Sequence, residues 1–482
     1  MPGIGKLMFI LQLLGNFHGF IPVSAIKDHS VVYPTILEGR WDEGGRVLKI
    51  NDEIILNLKK SELFAGDFLF RTETSAKEVH YYMKREDYEK DLYHDDINMA
   101  SVIVNTDSGV QVEGILSNTL RVEPLLEIPR SETGQVPHRL YEVLPQKSYP
   151  SDRDYAIPNI TSRDMQAGLY AEARRTRRTM YAEIYLVIDR DFAKAYAFSQ
   201  SKITAYFAIS LNACNLRFKT MESPRIRLRL VGITVFKTEA PFIVRAPENP
   251  EVILDEKTLE AFNIYYRGKD VYVMSDVMFF ISGGDIGYHD YYGRLITETG
   301  GYTYVGGACQ DDRVGMCEEL PKSYYGAYLM THEIAHSFGC VHDGTEAVAL
   351  PGHRGALQCP AEDGFLMSYA KKDENQYRFS DCCKADMRNL LNHPKWSCLK
   401  KRSKKSIKKY GLPGEYINGE TYCRSCYRYD SRMRYDREYG VQNCQVHCEG
   451  TYSYILGVPD GTPCDKLKKG AQRCLLGRCV QE

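Results

Sequence analysis

The feature that most constrains this chain is the stretch from His332 to His342, which has the pattern His-Glu-x-x-His-x-x-Gly-x-x-His. Residues four apart lie on one face of an α-helix, so His332 and His336 present their imidazoles one turn apart. Gly339 can adopt the positive φ that ends a helix, which lets the chain turn back with His342. The stretch therefore predicts a helix that carries two metal ligands and a turn that carries the third.

The residue types of this stretch indicate a hydrolytic zinc site. Three neutral imidazoles leave the charge of Zn²⁺ uncompensated, so the pKa of water in the open fourth position falls to about 7. Glu333 is rotated by about 100° from His332, so it can miss the metal and still take a proton from that water. The alternative is an ordinary amphipathic helix with two histidines. Histidine makes up only 12 of 482 residues, so three at these spacings favour the metal site.

The same stretch resembles the metzincin signature, and Asp343 after the third histidine resembles the reprolysin (adamalysin or ADAM-type) branch. Residues 364–369 resemble the methionine turn of this family, with Met367 in the methionine position. The resemblance implies one catalytic zinc, with Glu333 as the general base and with Gly339, Asp343 and Met367 as structural support. It also makes calcium binding possible, but no distinctive acidic loop supports a calcium site.

The resemblance implies an α/β fold in which a mixed sheet and helices surround a zinc cleft, and the hydrophobic pattern agrees with it. Residues 301–307 resemble the edge strand that lines the cleft in the family, to which a substrate adds as an extended strand. Ser380 is a suitable N-cap for a last helix that ends before Pro394. Strands are predicted at 182–189, 225–236 and 271–281, and helices at 191–212, 254–266 and 323–338.

Cysteine usage divides the chain into three regions. The N-terminal region, residues 26–178, has no cysteine and short apolar runs, and we expect a strand-rich propiece there. The central region, residues 179–400, has eight cysteines and is predicted to be the catalytic domain. A basic linker is predicted over 401–419. The C-terminal region, residues 420–482, has seven cysteines and too little chain for a large core, so we expect a small disulfide-rich domain.

The pairing of the cysteines does not follow from their spacing. Because seven is odd, one cysteine of the C-terminal region is free, pairs with the central region, or pairs between chains. Adjacent Cys382 and Cys383 would strain a mutual bond, so each is expected to pair elsewhere. The C-terminal region resembles the cysteine-rich segment of ADAM-type proteases with thrombospondin modules.

The N-terminus predicts secretion. Residues 1–25 have Lys6, a short apolar run and a small-residue end at Ala25, which is typical of a signal peptide. No later stretch approaches the roughly 20 apolar residues of a membrane helix, so no membrane anchor is expected. The net charge of −1 gives no reason to expect a nucleic-acid partner.

The N-terminal region ends in a processing signal. Arg175, Arg177 and Arg178 have the spacing that furin-like convertases cut, so we expect a zymogen that is processed after Arg178; a solvated charge cluster is the alternative. The family often holds its zinc latent through a propeptide cysteine, and this N-terminal region has none. Latency would therefore need another ligand or a blocked cleft. Asn159 lies in the only glycosylation sequon of the chain.

The combined pattern resembles the secreted reprolysin-like metalloproteases of blood-feeding arthropod saliva, such as those of ticks. The resemblance implies an endopeptidase that cleaves extracellular matrix or clotting proteins, and the basic linker could bind heparan-type polyanions. One alternative is a binding protein, in which the linker and the C-terminal region capture a host or matrix protein and proteolysis is secondary. Another is an endogenous matrix-remodelling protease with the same chemistry.

Overall fold

The computed structural model describes residues 26–37, 45–143, 153–158, 179–368, 370, 373–400, 414, 418–464, 472–475 and 477–481. They belong to two compact units, one within residues 1–404 and one within residues 405–482. In the described part of the chain, no helix is both long and apolar enough to cross a bilayer. The predicted signal peptide lies outside the described residues.

The N-terminal region forms a nine-stranded sheet with its own apolar core, in keeping with the short apolar runs of its sequence. Leu48, Leu56, Val102 and Val122 are fully or almost fully buried in that core. A short helix, α1 (Glu86–Glu89), lies in this region. The strands of the sheet are β1 (Ile26–Val32), β2 (Thr35–Leu37), β3 (Arg46–Lys49), β4 (Ile55–Lys60), β7 (Leu92–Asp95), β8 (Ala100–Asn105), β9 (Gln111–Ile115), β10 (Leu120–Pro124) and β11 (His138–Val143).

An eight-stranded mixed sheet crosses the larger unit. Its strands are β5 (Phe64–Glu73), β6 (Glu78–Met83), β12 (Tyr155–Ala156), β13 (Thr179–Ile188), β14 (Arg225–Phe236), β17 (Val277–Ser282), β20 (Gly301–Tyr304) and β21 (Val314–Glu318). Their spatial order is β12-β20-β21-β17-β13-β14-β5-β6. The middle strand β13 pairs in parallel with both neighbours, and its apolar residues are buried, as both faces of a parallel sheet require.

The N-terminal region contributes a strand to each side of this sheet. β5 pairs in parallel with β14 and leads into β6, whereas β12 pairs with β20 at the opposite edge. The side chains of Phe64, Phe68 and Phe70 are fully buried in the same apolar cluster as the central region. The predicted propiece and the predicted catalytic domain therefore share one core.

Six helices belong to the central region, and three sequence predictions about it were wrong in detail. The helix predicted over 191–212 is two helices, because Ala197 and Phe198 have positive φ values of 50° and 56°. The segment predicted as one strand over 271–281 begins with a helical turn and becomes a strand only at Val277. The helices are α2 (Arg190–Lys194), α3 (Gln200–Phe218), α4 (Asp255–Tyr266), α5 (Asp270–Val273), α6 (Gly326–Ser337) and α7 (Asp381–Asn392).

The ends of α6 and α7 follow local chemistry. The zinc helix α6 starts at Gly326 rather than at residue 323, because Tyr324 has a φ of 54°. Ser380 caps α7 as predicted, with its side chain accepting a hydrogen bond from the Cys383 amide. Three 3₁₀ helices lie at Ala361–Asp363, Asp373–Tyr377 and Pro394–Lys400. A smaller sheet consists of β15 (Arg245–Ala246), β16 (Asn249–Leu254), β18 (Asp285–His289) and β19 (Leu295–Thr299).

The smaller unit depends on disulfides, as its composition predicts. It contains α8 (Gly419–Cys426) and the strands β22 (Arg434–Tyr435), β23 (Val441–Gln442), β24 (Gln445–Glu449), β25 (Ser453–Gly457), β26 (Gln472–Leu475) and β27 (Arg478–Gln481). Its three disulfides are Cys423–Cys448, Cys444–Cys474 and Cys464–Cys479. The odd cysteine of this region is Cys426, which is exposed and has no disulfide partner among the described residues.

Three further disulfides lie in the central region. Cys382 and Cys383 pair with different partners, as the strain argument predicts. The bonds are Cys309–Cys398, Cys340–Cys383 and Cys359–Cys382. Cys214 and Cys317 remain as buried thiols.

Candidate metal centre

Helix α6 and the turn after it bring the three histidines of the motif to one point. His332 and His336 lie one turn apart on α6, and both are buried. Gly339 has a φ of 92°, and a Cβ atom there would lie 2.7 Å from Cδ2 of Leu390. Glycine is therefore required both by the backbone conformation and by the close approach of α7. The chain turns at this residue and brings His342 back to the end of α6.

The ring nitrogens have the arrangement that a tetrahedral metal needs. Nε2 of His332 lies 3.1 Å from Nε2 of His336 and 3.2 Å from Nε2 of His342. Two nitrogen ligands at about 2 Å from a tetrahedral zinc lie about 3.3 Å from each other. The three histidines are thus already spaced for zinc.

Backbone carbonyls hold two of the imidazoles in the tautomer that binds metal. Nδ1 of His332 donates to the Leu366 carbonyl at 3.1 Å, and Nδ1 of His336 donates to the Cys340 carbonyl at 2.7 Å. The Nε2 atoms of these two rings then carry lone pairs that face each other. Such an arrangement is favourable when a cation lies between the nitrogens, so the site fits a zinc ion.

A fourth group lies at the same point, and the sequence reasoning missed it. Oδ2 of Asp154 lies 3.2 Å from Nε2 of His332 and 3.1 Å from Nε2 of His342, and Oδ1 lies 3.5 Å from Nε2 of His336. One ligand atom from each of the four residues lies within 4.8 Å of the others. The signal that could have found this residue is the absence of cysteine from residues 26–178, because latency then needs another ligand.

Burial and charge act against each other in this cluster. Burial by itself would raise the pKa of Asp154, but the charge of His342 and hydrogen bonds from the three imidazoles hold that pKa well below its usual value. Burial lowers the pKa of His336 to about 4, although the carboxylate of Asp154 opposes the shift. The cluster therefore combines a carboxylate with a neutral imidazole at His336, which is a donor set for a divalent cation.

Glu333 lies beside the cluster with one oxygen available. It is buried, and its Oε2 atom has no hydrogen-bond partner within the described ranges. Its side chain packs against Gly301, where a Cβ atom would lie 2.5 Å from Oε1. Burial raises the pKa of Glu333 well above its usual value, and the charges of Asp154 and Asp255 add to the rise. An orphaned carboxylate oxygen in a buried site is suited to accept a proton from a bound molecule.

The methionine segment supports the cluster from below. Met367 is fully buried, and its carbonyl accepts a hydrogen bond from the Asp343 amide at 3.1 Å. The Asp343 side chain accepts a hydrogen bond from Ser380 at 2.5 Å, and burial raises its pKa to about 6. Asp343 thus connects the residue after His342 to the methionine segment and to the start of α7.

The edge strand β20 lines the site on one side, where the sequence predicts a cleft strand. β12 runs parallel to it, with Tyr155 opposite Thr303 and Ala156 opposite Tyr304. The structure therefore brings together the three predicted ligands, Glu333 and the predicted substrate strand. The predicted processing residues Arg175, Arg177 and Arg178 and the predicted glycosylation residue Asn159 lie outside the described residues.

Comparisons with known proteins agree with this geometry. The family description "Reprolysin_5: Metallo-peptidase family M12" matches residues 178–380. A venom metalloproteinase from Tityus serrulatus, antarease TserMP_A, is 28 % identical over 324 residues, which are 65 % of this chain and 80 % of the relative. The antarease-like TserMP_B of the same organism is 30 % identical over 226 residues, which are 45 % of this chain and 95 % of the relative.

One solved structure overlaps much of the chain at low similarity. Metalloproteinase-II from Bacteroides fragilis covers 76 % of this chain and 92 % of its own, with a TM-score of 0.38 and 13 % identity. These values are too low to bear on the fold.

Proposed function

Because the chain belongs to the reprolysin type of the M12 metallopeptidases and is a zinc-dependent metalloendopeptidase, we propose that His332, His336 and His342 hold its catalytic zinc. The observation that carries the assignment is the spacing of their Nε2 atoms, 3.1 Å and 3.2 Å, around a single point. Glu333 is the proposed general base. The zinc supplies a Lewis acid that polarises the peptide carbonyl and lowers the pKa of water.

The proposed mechanism assigns each of the chain's own groups one task. The Leu366 and Cys340 carbonyls hold His332 and His336 in the ligating tautomer. Glu333 accepts the proton of the attacking water on its orphaned oxygen and passes it to the leaving amine. Its raised pKa suits that role, because a base whose pKa approaches neutrality can also return the proton. β20 pairs with the extended substrate.

The supporting residues act through the ligands. Gly339 allows the turn that returns His342, and Asp343 connects that turn to α7 through Ser380. Met367 fills the apolar space beneath the cluster. These three residues are positioning residues in the proposal and do not touch the substrate.

The proposal includes secretion as a zymogen. Residues 1–25 serve as the signal peptide, residues 26–178 as the propiece, and a convertase cuts after Arg178 at the Arg175, Arg177 and Arg178 signal. Asn159 is the candidate glycosylation site. The catalytic domain is proposed over 179–400, the basic linker over 401–419 and the cysteine-rich domain over 420–482.

The proposed substrates are extracellular proteins of the matrix or of clotting. Support comes from the signal sequence and from relatives whose names describe venom metalloproteinases, which act outside cells. Heparan-type polyanions are proposed as partners of the basic linker, because Lys400 to Lys409 is almost entirely cationic.

The test compares Glu333→Ala with the processed parent protein. Both proteins are expected to bind one zinc per chain, and the variant is expected to hydrolyse gelatin at least about 10³-fold more slowly because its base is gone. Glu346→Ala is the matched control, because Glu346 is exposed and lies in the same part of the chain. The N-terminal fragment is removed from every sample before the assay.

The outcomes separate the hypotheses. Zinc binding by both proteins with activity only in the parent and the control supports the endopeptidase. Zinc binding without activity in any of the three favours the binding-protein alternative. A parent protein that binds no zinc overturns the assignment of the ligands.

A further inference from the structure

We propose that Asp154 is the fourth zinc ligand of the uncut chain and keeps the enzyme latent. This inference rests on the proposed zinc site. The N-terminal region has no cysteine that could serve, and Asp154 is its residue at the metal centre. The carboxylate takes the place that the attacking water needs, so the uncut chain cannot start hydrolysis.

The position of the carboxylate is the first support. Asp154 is 4 % exposed, and its two oxygens approach all three imidazoles, with a shortest distance of 2.9 Å from Oδ1 to Nε2 of His342. A carboxylate oxygen at about 2 Å from zinc is an ordinary ligand. A buried carboxylate among neutral imidazoles is costly unless a cation compensates it, and a divalent ion at the centre of the four groups does so.

The backbone of the same residue is the second support. The Asp154 carbonyl accepts a hydrogen bond from the Thr303 amide at 3.2 Å, and the Ala156 carbonyl accepts one from the Val305 amide at 2.9 Å. These amides belong to the edge at which the substrate is proposed to pair. Asp154 therefore blocks the site twice, because its side chain faces the ligands while its main chain occupies the substrate strand.

Aromatic contacts close the site around the ligand. The ring of Tyr155 lies 4.8 Å from the ring of His336 and 5.2 Å from the ring of His342. On the other side, the guanidinium of Arg153 lies 5.5 Å from the ring of Tyr288. Neighbouring residues on both sides of Asp154 thus hold the segment in place and exclude water from the metal centre.

The location in the chain determines how latency ends. Asp154 precedes Arg178, so a cut after Arg178 leaves the carboxylate on the N-terminal fragment. That fragment is also bound through β5 and through the shared core. Cutting is therefore necessary but not sufficient, and activity requires that the segment around Asp154 leaves the cleft.

The first experiment measures access to the metal in uncut protein. The full chain with Arg175, Arg177 and Arg178 changed to alanine is loaded with cobalt(II), whose visible spectrum reports its ligands. Acetohydroxamate is then titrated into the parent, Asp154→Asn and Asp152→Asn, the last being a matched loss of a carboxylate two residues away. We expect Asp154→Asn alone to change the cobalt spectrum and to bind acetohydroxamate about 100-fold more tightly, since a tethered competitor has been removed.

Asp154→Cys provides a signal that a merely structural role would not produce. A thiolate ligand on cobalt(II) gives an intense near-ultraviolet charge-transfer band, which requires direct coordination by residue 154. If Asp154→Asn does not fold, this variant decides the question, because a cobalt-bound protein without the band overturns the proposal.

The failure of each proposal is distinguishable. Cobalt binding by every variant with unchanged spectra and unchanged acetohydroxamate affinity overturns the role of Asp154 and leaves the zinc site intact. Absence of cobalt from every variant overturns the zinc site itself, and with it the inference about Asp154.

Discussion

The two edges of the eight-stranded sheet are both covered by the N-terminal region, but in different ways. At one edge, β5 contributes ten residues whose phenylalanines are fully buried in the shared core. At the other edge, β12 contributes two residues and Asp154. Apolar burial stabilises the first contact, whereas the second depends on a few hydrogen bonds and on the proposed metal ligand.

This difference indicates a division of labour. Burying one phenylalanine contributes about 1.5–3 kcal/mol, so the three in β5 provide an attachment that a single cut does not release. Further contacts hold the region near the zinc helix: the Arg121 guanidinium donates to the Ser323 carbonyl at 2.7 Å, and the Tyr141 hydroxyl donates to the Lys322 carbonyl at 2.7 Å. The β5 edge is suited to assist folding of the catalytic region, while the β12 edge is suited to be released.

The largest effect is expected from breaking the β5 edge. Phe70→Ala should lower the free energy of unfolding of the larger unit by about 3–5 kcal/mol, because it leaves a cavity in the shared core. Urea unfolding followed by tyrosine and tryptophan fluorescence measures the change. Ile97→Ala is the control, since Ile97 is 85 % exposed, and equal effects of the two substitutions would contradict the shared core.

Removal of zinc should loosen the β12 edge and spare the β5 edge. In uncut protein treated with a chelator, hydrogen exchange at the Thr303 and Val305 amides should rise about 10–100-fold, because the ligand that holds Asp154 is lost. Amides of β14 that pair with β5 should change little. Asp154→Asn should show the fast exchange at β20 before any chelator is added.

Uniform loosening of both edges on zinc removal would contradict this comparison. It would mean that the metal stabilises the whole unit rather than one strand. The same exchange measurement separates the two cases, since it reports the edges independently.

The smallest effect is expected from Tyr155→Ala. Loss of the ring that packs on His336 and His342 should weaken the hold of the segment by about 1 kcal/mol, which is about five-fold in acetohydroxamate affinity of the uncut cobalt protein. Tyr155→Phe is the matched control and should behave as the parent. An effect as large as that of Asp154→Asn would move the main role from the carboxylate to the ring.

The metal centre was predictable because its signals are local. His332, Glu333, His336, Gly339 and His342 lie within eleven residues, so helical periodicity and one glycine turn place their side chains relative to one another. The N-cap at Ser380 was predictable for the same reason. The break in the helix predicted over 191–212 was not, because nothing in its sequence marks Ala197 and Phe198 for positive φ.

Sequence by itself determined the zinc chemistry, the reprolysin type and the dependence of the C-terminal region on disulfides, since each follows from residue types at short spacing. Tertiary structure alone decided which cysteines pair, that β5 enters the central sheet, and that Asp154 meets the three histidines. These contacts join residues far apart in the chain, where the entropy of closing long loops leaves no periodic trace in the sequence. Asp154 comes within 2.9 Å of a histidine 188 positions away, and only folding brings the two together.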